Sequence, residues 1–147
     1  AGADLDVDHT AQVPAGFTPV DNPVRLVDTR VGVGGAVGRV PAGGTFVVEV
    51  PAGVGVPVLN VTAVAPSGAG HVTVFPCDRE VPTASNVNYR VGMTVANLAM
   101  VRPGVDGRVC VYSHAEIDLV VDHTGTWTGD IVPVDNPTRV TDTRLLP

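Results

Sequence analysis

Lysine is missing from this 147-residue chain: the nine basic residues are all arginine, set against fifteen acidic ones, for a formal net charge of −6. An acidic chain without a basic patch repels phosphate backbones, so neither nucleic acid nor an anionic membrane surface is an expected partner. Nowhere do apolar residues run on for the ~20 positions that a membrane-spanning helix needs. Aromatic residues are scarce, with only Phe17, Phe46, Phe75, Tyr89, Tyr112 and Trp127. Glutamate occurs only as Glu49, Glu80 and Glu116, and no motif marks a carboxylate pair for glycoside hydrolysis. The sequence has no GxSxG nucleophile turn, and no CxxC or HxxxH spacing that would announce a bound transition metal. Long runs of Leu, Glu, Lys and Ala, the usual material of helices, are absent too.

Valine, glycine, proline, alanine and threonine take their place. Valine and threonine are stiff at χ1 and fit a pleated surface better than a helix. Seventeen Gly and thirteen Pro interrupt the chain too often for helices of ordinary length. Strand-length alternation is legible in TFVVEV (45–50), VLNVTAVA (58–65), HVTVF (71–75), NVNY (86–89), TVANLAMV (94–101), RVCVY (108–112) and IDLVVDH (117–123). Turns are supplied by PAGG (41–44), PSGAG (66–70) and RPGVDG (102–107). These patterns predict an all-β, antiparallel β-sandwich of jelly-roll or Greek-key type, with seven, eight or more strands and no significant helix.

The most specific feature is an internal repeat. DLDVDHT (4–10) returns as DLVVDHT (118–124), and PVDNPVRLVDTR (19–30) returns as PVDNPTRVTDTR (133–144). Both offsets are 114, since 118 − 4 = 133 − 19. A unit this long holds its own core, so the pattern is one of beads on a string rather than a stacked solenoid. Between the repeated blocks lie AQVPAGFT (11–18) and GTWTGDIV (125–132), which read as linkers. The expected organisation is an end strand and linker of a preceding repeat at 1–18, one complete module at 19–124, and a linker with the first strand of the next repeat at 125–147; the alternative is that the leading DLDVDHT strand completes a sheet, as in strand-donating fibres, and the sequence does not choose between them.

Cys77 closes HVTVFPC and Cys110 lies in GRVCVYS. In an exported domain an even cysteine count reads as a disulfide, worth roughly 3–4 kcal/mol for a loop of this length on the chain-entropy model. Two buried free thiols in a cytosolic protein are the competing reading.

Taken in order, RLVDTR, LNVTAVAPSGAGHVTVFPC, PTASNVNYRVGMTVANLAMV, GRVCVYS and IDLVVDHTGTW resemble a repeat common in secreted actinobacterial proteins. Members of that family carry RLLDTR, NVT, VTVYPC, SNLNY, TVAN, VCVY and LVVDVSGWF-like segments in the same succession. The resemblance spans Arg25 to Trp127. It implies export to the cell surface or medium, tandem copies, and attachment to surface proteins or hydrolases, and it implies no reaction. The departures are RLVDTR and RVTDTR for RLLDTR, and DHTGTW at the end.

The candidate sites follow from residue type. Asp28 with Arg30, echoed by Asp142 with Arg144, pairs a carboxylate with a guanidinium; an Asx-type turn plus a structural salt bridge is the favoured reading over a ligand grip. VDNP (20–23) reads as extended chain leading into a turn, because the residue before proline leaves the α region. Asp4, Asp6 and Asp8 alternate on one strand face and form a weak calcium candidate, weakened because Val120 stands where Asp6 would recur. Asn86, Asn88, Tyr89 and Arg90, with Trp127, are the candidate ligand-binding residues for a sugar. Ser85 is the best placed serine, though it fits a loop cap better than a nucleophile. His9 and His123 occupy one repeat position, which favours a structural role over a catalytic one. Asn60 opens an NVT triplet, read as a packing element of a strand.

These readings converge on a non-catalytic extracellular module that acts as a stalk or adhesion unit, without a cofactor. Its expected partners are neighbouring copies of the repeat, an extracellular polysaccharide or a protein receptor. The alternative is a carbohydrate- or cell-wall-binding module that targets an attached enzyme.

Overall fold

A computed structural model describes residues 16–53, 55–129, 131–132, 134 and 137–145. Eight strands form: β1 (Gly16–Asp28), β2 (Thr45–Glu49), β3 (Val56–Val64), β4 (Gly70–Pro76), β5 (Val87–Tyr89), β6 (Val95–Met100), β7 (Arg108–Ser113) and β8 (Asp118–Thr128). They build two four-stranded sheets, ordered β1-β8-β3-β6 and β2-β7-β4-β5. The antiparallel pairs β1·β8, β2·β7, β3·β6 and β4·β5 nest inside one another, and β3·β8 and β4·β7 join them side by side. One long hairpin wrapped into two sheets in this way is the jelly-roll arrangement. The only helix among the described residues is a single 3-10 turn at Thr143–Leu145.

Alternation explains how the sandwich closes. In β3, Leu59, Val61 and Ala63 point inward, and in β8 Leu119 and Val121 do the same; all five are fully buried. Val72, Val74, Val109, Val111 and Val48 answer from the second sheet. Burying each such side chain stabilises the fold by ~1.5–3 kcal/mol before the cost of ordering the chain. The core is largely valine, a residue that loses little χ1 freedom on entering a strand.

The strands at the rim run further than their patterns suggest. β1 starts at Gly16 and β8 continues to Thr128, so Phe17 lies opposite Trp127 and Thr18 opposite Thr126. Residues 16–18 and 125–128, expected as linker, are thus paired strand. VDNP (20–23) is a bulge: Pro19 pairs with Gly125 and Val24 with His123, leaving four residues against Thr124 alone. Two prolines are tolerated here because β1 is an edge strand, where a missing N–H need not break a ladder. Gly125 completes the arrangement, since a Cβ there would run into the Phe17 ring.

The Cys77–Cys110 disulfide is present, with its Cα atoms 4.9 Å apart. It joins the end of β4 to the middle of β7 in the second sheet, where Phe75 already faces Cys110 across the ladder.

Candidate functional site

The end of β1 holds the densest polar cluster of the described residues. Asp28 is the last residue of the strand, and its carbonyl accepts hydrogen bonds from the N–H groups of Val31, Gly32 and Val33, turning the chain sharply. Gly34 finishes the turn at φ 76°, pressed against the Leu26 carbonyl where a Cβ has no room. Within that turn Arg30 N–H donates to Asp28 Oδ1 at 3.1 Å, an Asx-type contact. The Arg30 guanidinium then grips the same carboxylate with two bonds, Nε to Oδ1 at 2.8 Å and Nη2 to Oδ2 at 2.7 Å. Arg25 Nη1 adds a third guanidinium contact at 3.1 Å. Bidentate pairing of this kind fixes direction as well as charge.

This clasp is docked on β8. Arg25 also reaches Asp122 through Nε at 2.9 Å and Nη2 at 3.2 Å. Thr29 exchanges backbone and side-chain bonds with Leu119: its N–H donates to the Leu119 carbonyl, and its hydroxyl accepts from Leu119 N–H at 3.0 Å. The same hydroxyl donates to Asp118 at 3.2 Å. Arg39 holds Asp118 at 3.1 Å and Glu116 at 2.8 Å, and it donates to the Ala65 and Glu116 carbonyls. Asp28 is 3% exposed. The Arg30 guanidinium, against the opposing effect of burial, lowers its carboxyl pKa from 3.8 to about 2.

Asp28 and Arg30 are thus brought together as the sequence implies. Arg25, Thr29, Arg39, Glu116, Asp118 and Asp122 were not marked, although Arg25 recurs as Arg139 and the two aspartates recur as Asp4 and Asp8 at the same offset. Three guanidiniums stand against four carboxylates here, a net −1, and their contacts tie the turn after β1 to β8.

The second copy repeats the clasp. Arg144 N–H donates to Asp142 Oδ1 at 3.1 Å, its Nε to Oδ1 at 2.8 Å and its Nη2 to Oδ2 at 2.6 Å, while Arg139 Nη1 donates to Oδ2 at 2.9 Å. Its carboxyl too lies at about 2, again chiefly through the arginine that grips it.

The candidate sugar-binding residues fall elsewhere. Tyr89 is not exposed: its ring is in the core, with 5% of its surface accessible, and its hydroxyl lies 2.9 Å from Ser113 Oγ and accepts from Ala115 N–H at 3.0 Å. It therefore offers no face for a sugar to stack on. Asn86 accepts from Val74 N–H at 2.8 Å and its carbonyl accepts from Asn97, so it splices β4, the following loop and β6. Asn88 and Arg90 are exposed, and Asn88 accepts from Ser85 Oγ at 3.1 Å. A cavity of about 210 Å³ beside Asn86 is lined by Thr73, Met100 and Arg102 and by Val134 and Pro137. Trp127 is half-buried on β8 between Phe17 of β1, 47% exposed, and Val56 of β3. Asp4, Asp6 and Asp8 lie outside the described residues, as does His9. His123 is buried, with Nε2 3.2 Å from Thr126 Oγ1.

His71 and His114 stack at 5.4 Å beside Tyr112, and burial lowers the His71 pKa, helped by the neighbouring His114. Among the described residues no three His, Cys, Asp or Glu side chains gather closely enough to hold a metal ion. No family model, curated protein or solved structure matches the chain.

Proposed function

We propose that the chain carries a non-catalytic repeat unit of an extracellular, surface-attached or secreted protein, acting as stalk or adhesion element. The observation that carries this reading is the clasp itself. The same Arg–Asp–Arg geometry forms twice, 114 residues apart, and in the first copy its side chains are taken up in tying β1 to β8. A repeated tie of that kind serves a series of like units. The disulfide is in keeping with an oxidising compartment, where such bonds persist.

A second reading, a carbohydrate- or cell-wall-binding module, keeps one foothold in Phe17 and Trp127, which face each other across β1 and β8. The test is retention of the purified 147-residue chain on peptidoglycan, cellulose, chitin and α-glucans, with and without EDTA. The stalk reading expects no saturable retention on any polymer. Saturable retention that disappears in Phe17→Ala and Trp127→Ala would replace it with the targeting module.

A further inference from the structure

The outer face of the second sheet carries two histidines side by side. His71 is the second residue of β4, and His114 directly follows the last residue of β7. The two strands pair with Val72 opposite Ser113, so the next position in that register sets His71 opposite His114. The His114 N–H donates to the His71 carbonyl at 3.0 Å, which carries the ladder on to this pair. Val72 and Ser113 are fully buried in the sandwich, so alternation turns both histidines outward.

The pair is well supported from behind. The His71 carbonyl also accepts from the Tyr89 hydroxyl at 3.3 Å. Gly70 leaves the room that the His114 ring occupies, since a Cβ there would stand 3.0 Å from its Cδ2. The imidazoles stack with centroids 5.4 Å apart and planes inclined by 23°. Tyr112 backs His71 from 5.9 Å on the same face. His114 is exposed and His71 half-buried, so the rings are open to solvent along one side.

We infer that His71 and His114 together form a surface site for a divalent transition-metal ion of the Zn²⁺ or Cu²⁺ type. This goes beyond the stalk reading and does not rest on it. Imidazole is the ligand class that suits these ions. With Zn–N at ~2.1 Å, two rings on one ion set their centroids about 5 Å apart, close to the separation of this pair. Turning His114 about χ2, a broad and soft torsion, aims one nitrogen of each ring at a common point. The ladder fixes both backbones in advance, so binding orders little more than two side chains. Imidazole binds a metal in its neutral form, the main form of an ordinary histidine at neutral pH. The two rings supply half of a tetrahedral set, and water completes it in the purified chain. The ligands lie 43 positions apart (114 − 71), which is why no HxxxH spacing announces them.

The test is a calorimetric titration of Zn²⁺ alone into the full 147-residue chain at neutral pH, with histidine ring resonances followed by NMR. The expected result is one saturable site in the micromolar range, with the His71 and His114 rings shifting together. His71→Ala and His114→Ala should each weaken binding by roughly tenfold or more, at least what loss of an outer-shell partner costs. His9→Ala should leave it unchanged. Urea unfolding without metal checks that each variant is folded, and the exposed His114 keeps the test valid should His71→Ala fail to fold. No saturable binding by the wild-type chain overturns the inference. So does equal affinity in wild type and His114→Ala, which would place the ion elsewhere on the chain. Either failure leaves the stalk reading to the polymer-retention test, which does not depend on these histidines.

Discussion

The clasp at residues 25–30 and the clasp at 139–144 have the same internal bonds and different surroundings. Both close on a carboxylate held at about pKa 2 by a bidentate arginine. The first is fastened to β8, and its aspartate and threonine are buried; the second is fastened to nothing among the described residues. The local sequence R-x-x-D-T-R is therefore enough to shape the turn, since an Asx contact and an i,i+2 ion pair need only neighbours in the chain. What the first copy adds is long-range: Arg25 crosses 97 positions to Asp122 and Thr29 crosses 90 to Leu119. A motif that folds locally and stabilises only when docked is well suited to the seam of a repeated unit.

The sharpest way to break the comparison is to remove each aspartate in turn. Asp28→Ala leaves Arg25 and Arg30 without their shared partner under the β1 turn. Stability should fall by about 2–3 kcal/mol, below the 3–5 seen when one half of a fully buried pair is removed, because the arginines are half exposed. Asp142→Ala should change stability by less than ~0.5 kcal/mol, as exposed pairs do. Urea unfolding of the two variants decides it. Equal losses would mean that the second clasp is already docked in solution.

A smaller effect separates the apolar sides. Val27 is 1% exposed in the core, and its counterpart is Thr141. Val27→Thr should cost about 1–2 kcal/mol, since a hydroxyl in an apolar site finds no partner. Thr141→Val should lie within ~0.5 kcal/mol of wild type by the same unfolding assay. A loss on Thr141→Val would place that residue, too, in a polar contact.

The fold class was legible because period-two alternation and frequent turn residues are local signals. The strand order was not, because alternation says which face a residue takes and not which strand lies beside it; the nested pairing depends on contacts dozens of residues apart. Asp28 and Arg30 were legible as a structural pair for the same local reason. Arg39 and Glu116 carry no such signal, being joined only once β8 folds back over the turn after β1. Tyr89 carries a local signal for burial. In VNY, Val87 and Tyr89 share a face, so an inward Val87 takes the tyrosine with it and leaves only Asn88 in solvent.

Acid sharpens the contrast most finely. Asp28 titrates at about 2 in the folded chain and at ~3.9 once unfolded, so between these values the unfolded state binds more protons. Its contribution is fully present above about pH 4 and is lost as pH falls through 2. The gap in unfolding free energy between wild type and Asp28→Asn should therefore narrow steadily from pH 5 down to pH 2. Asp142 has a carboxyl just as acidic, but it is held only by neighbours in the chain, contacts that unfolding of the sandwich need not break; its pKa should then be alike in both states, so wild type and Asp142→Asn should stay together across the same range. A parallel narrowing for Asp142→Asn would tie the second clasp to global unfolding, and that would require a strand docked on residues 137–145.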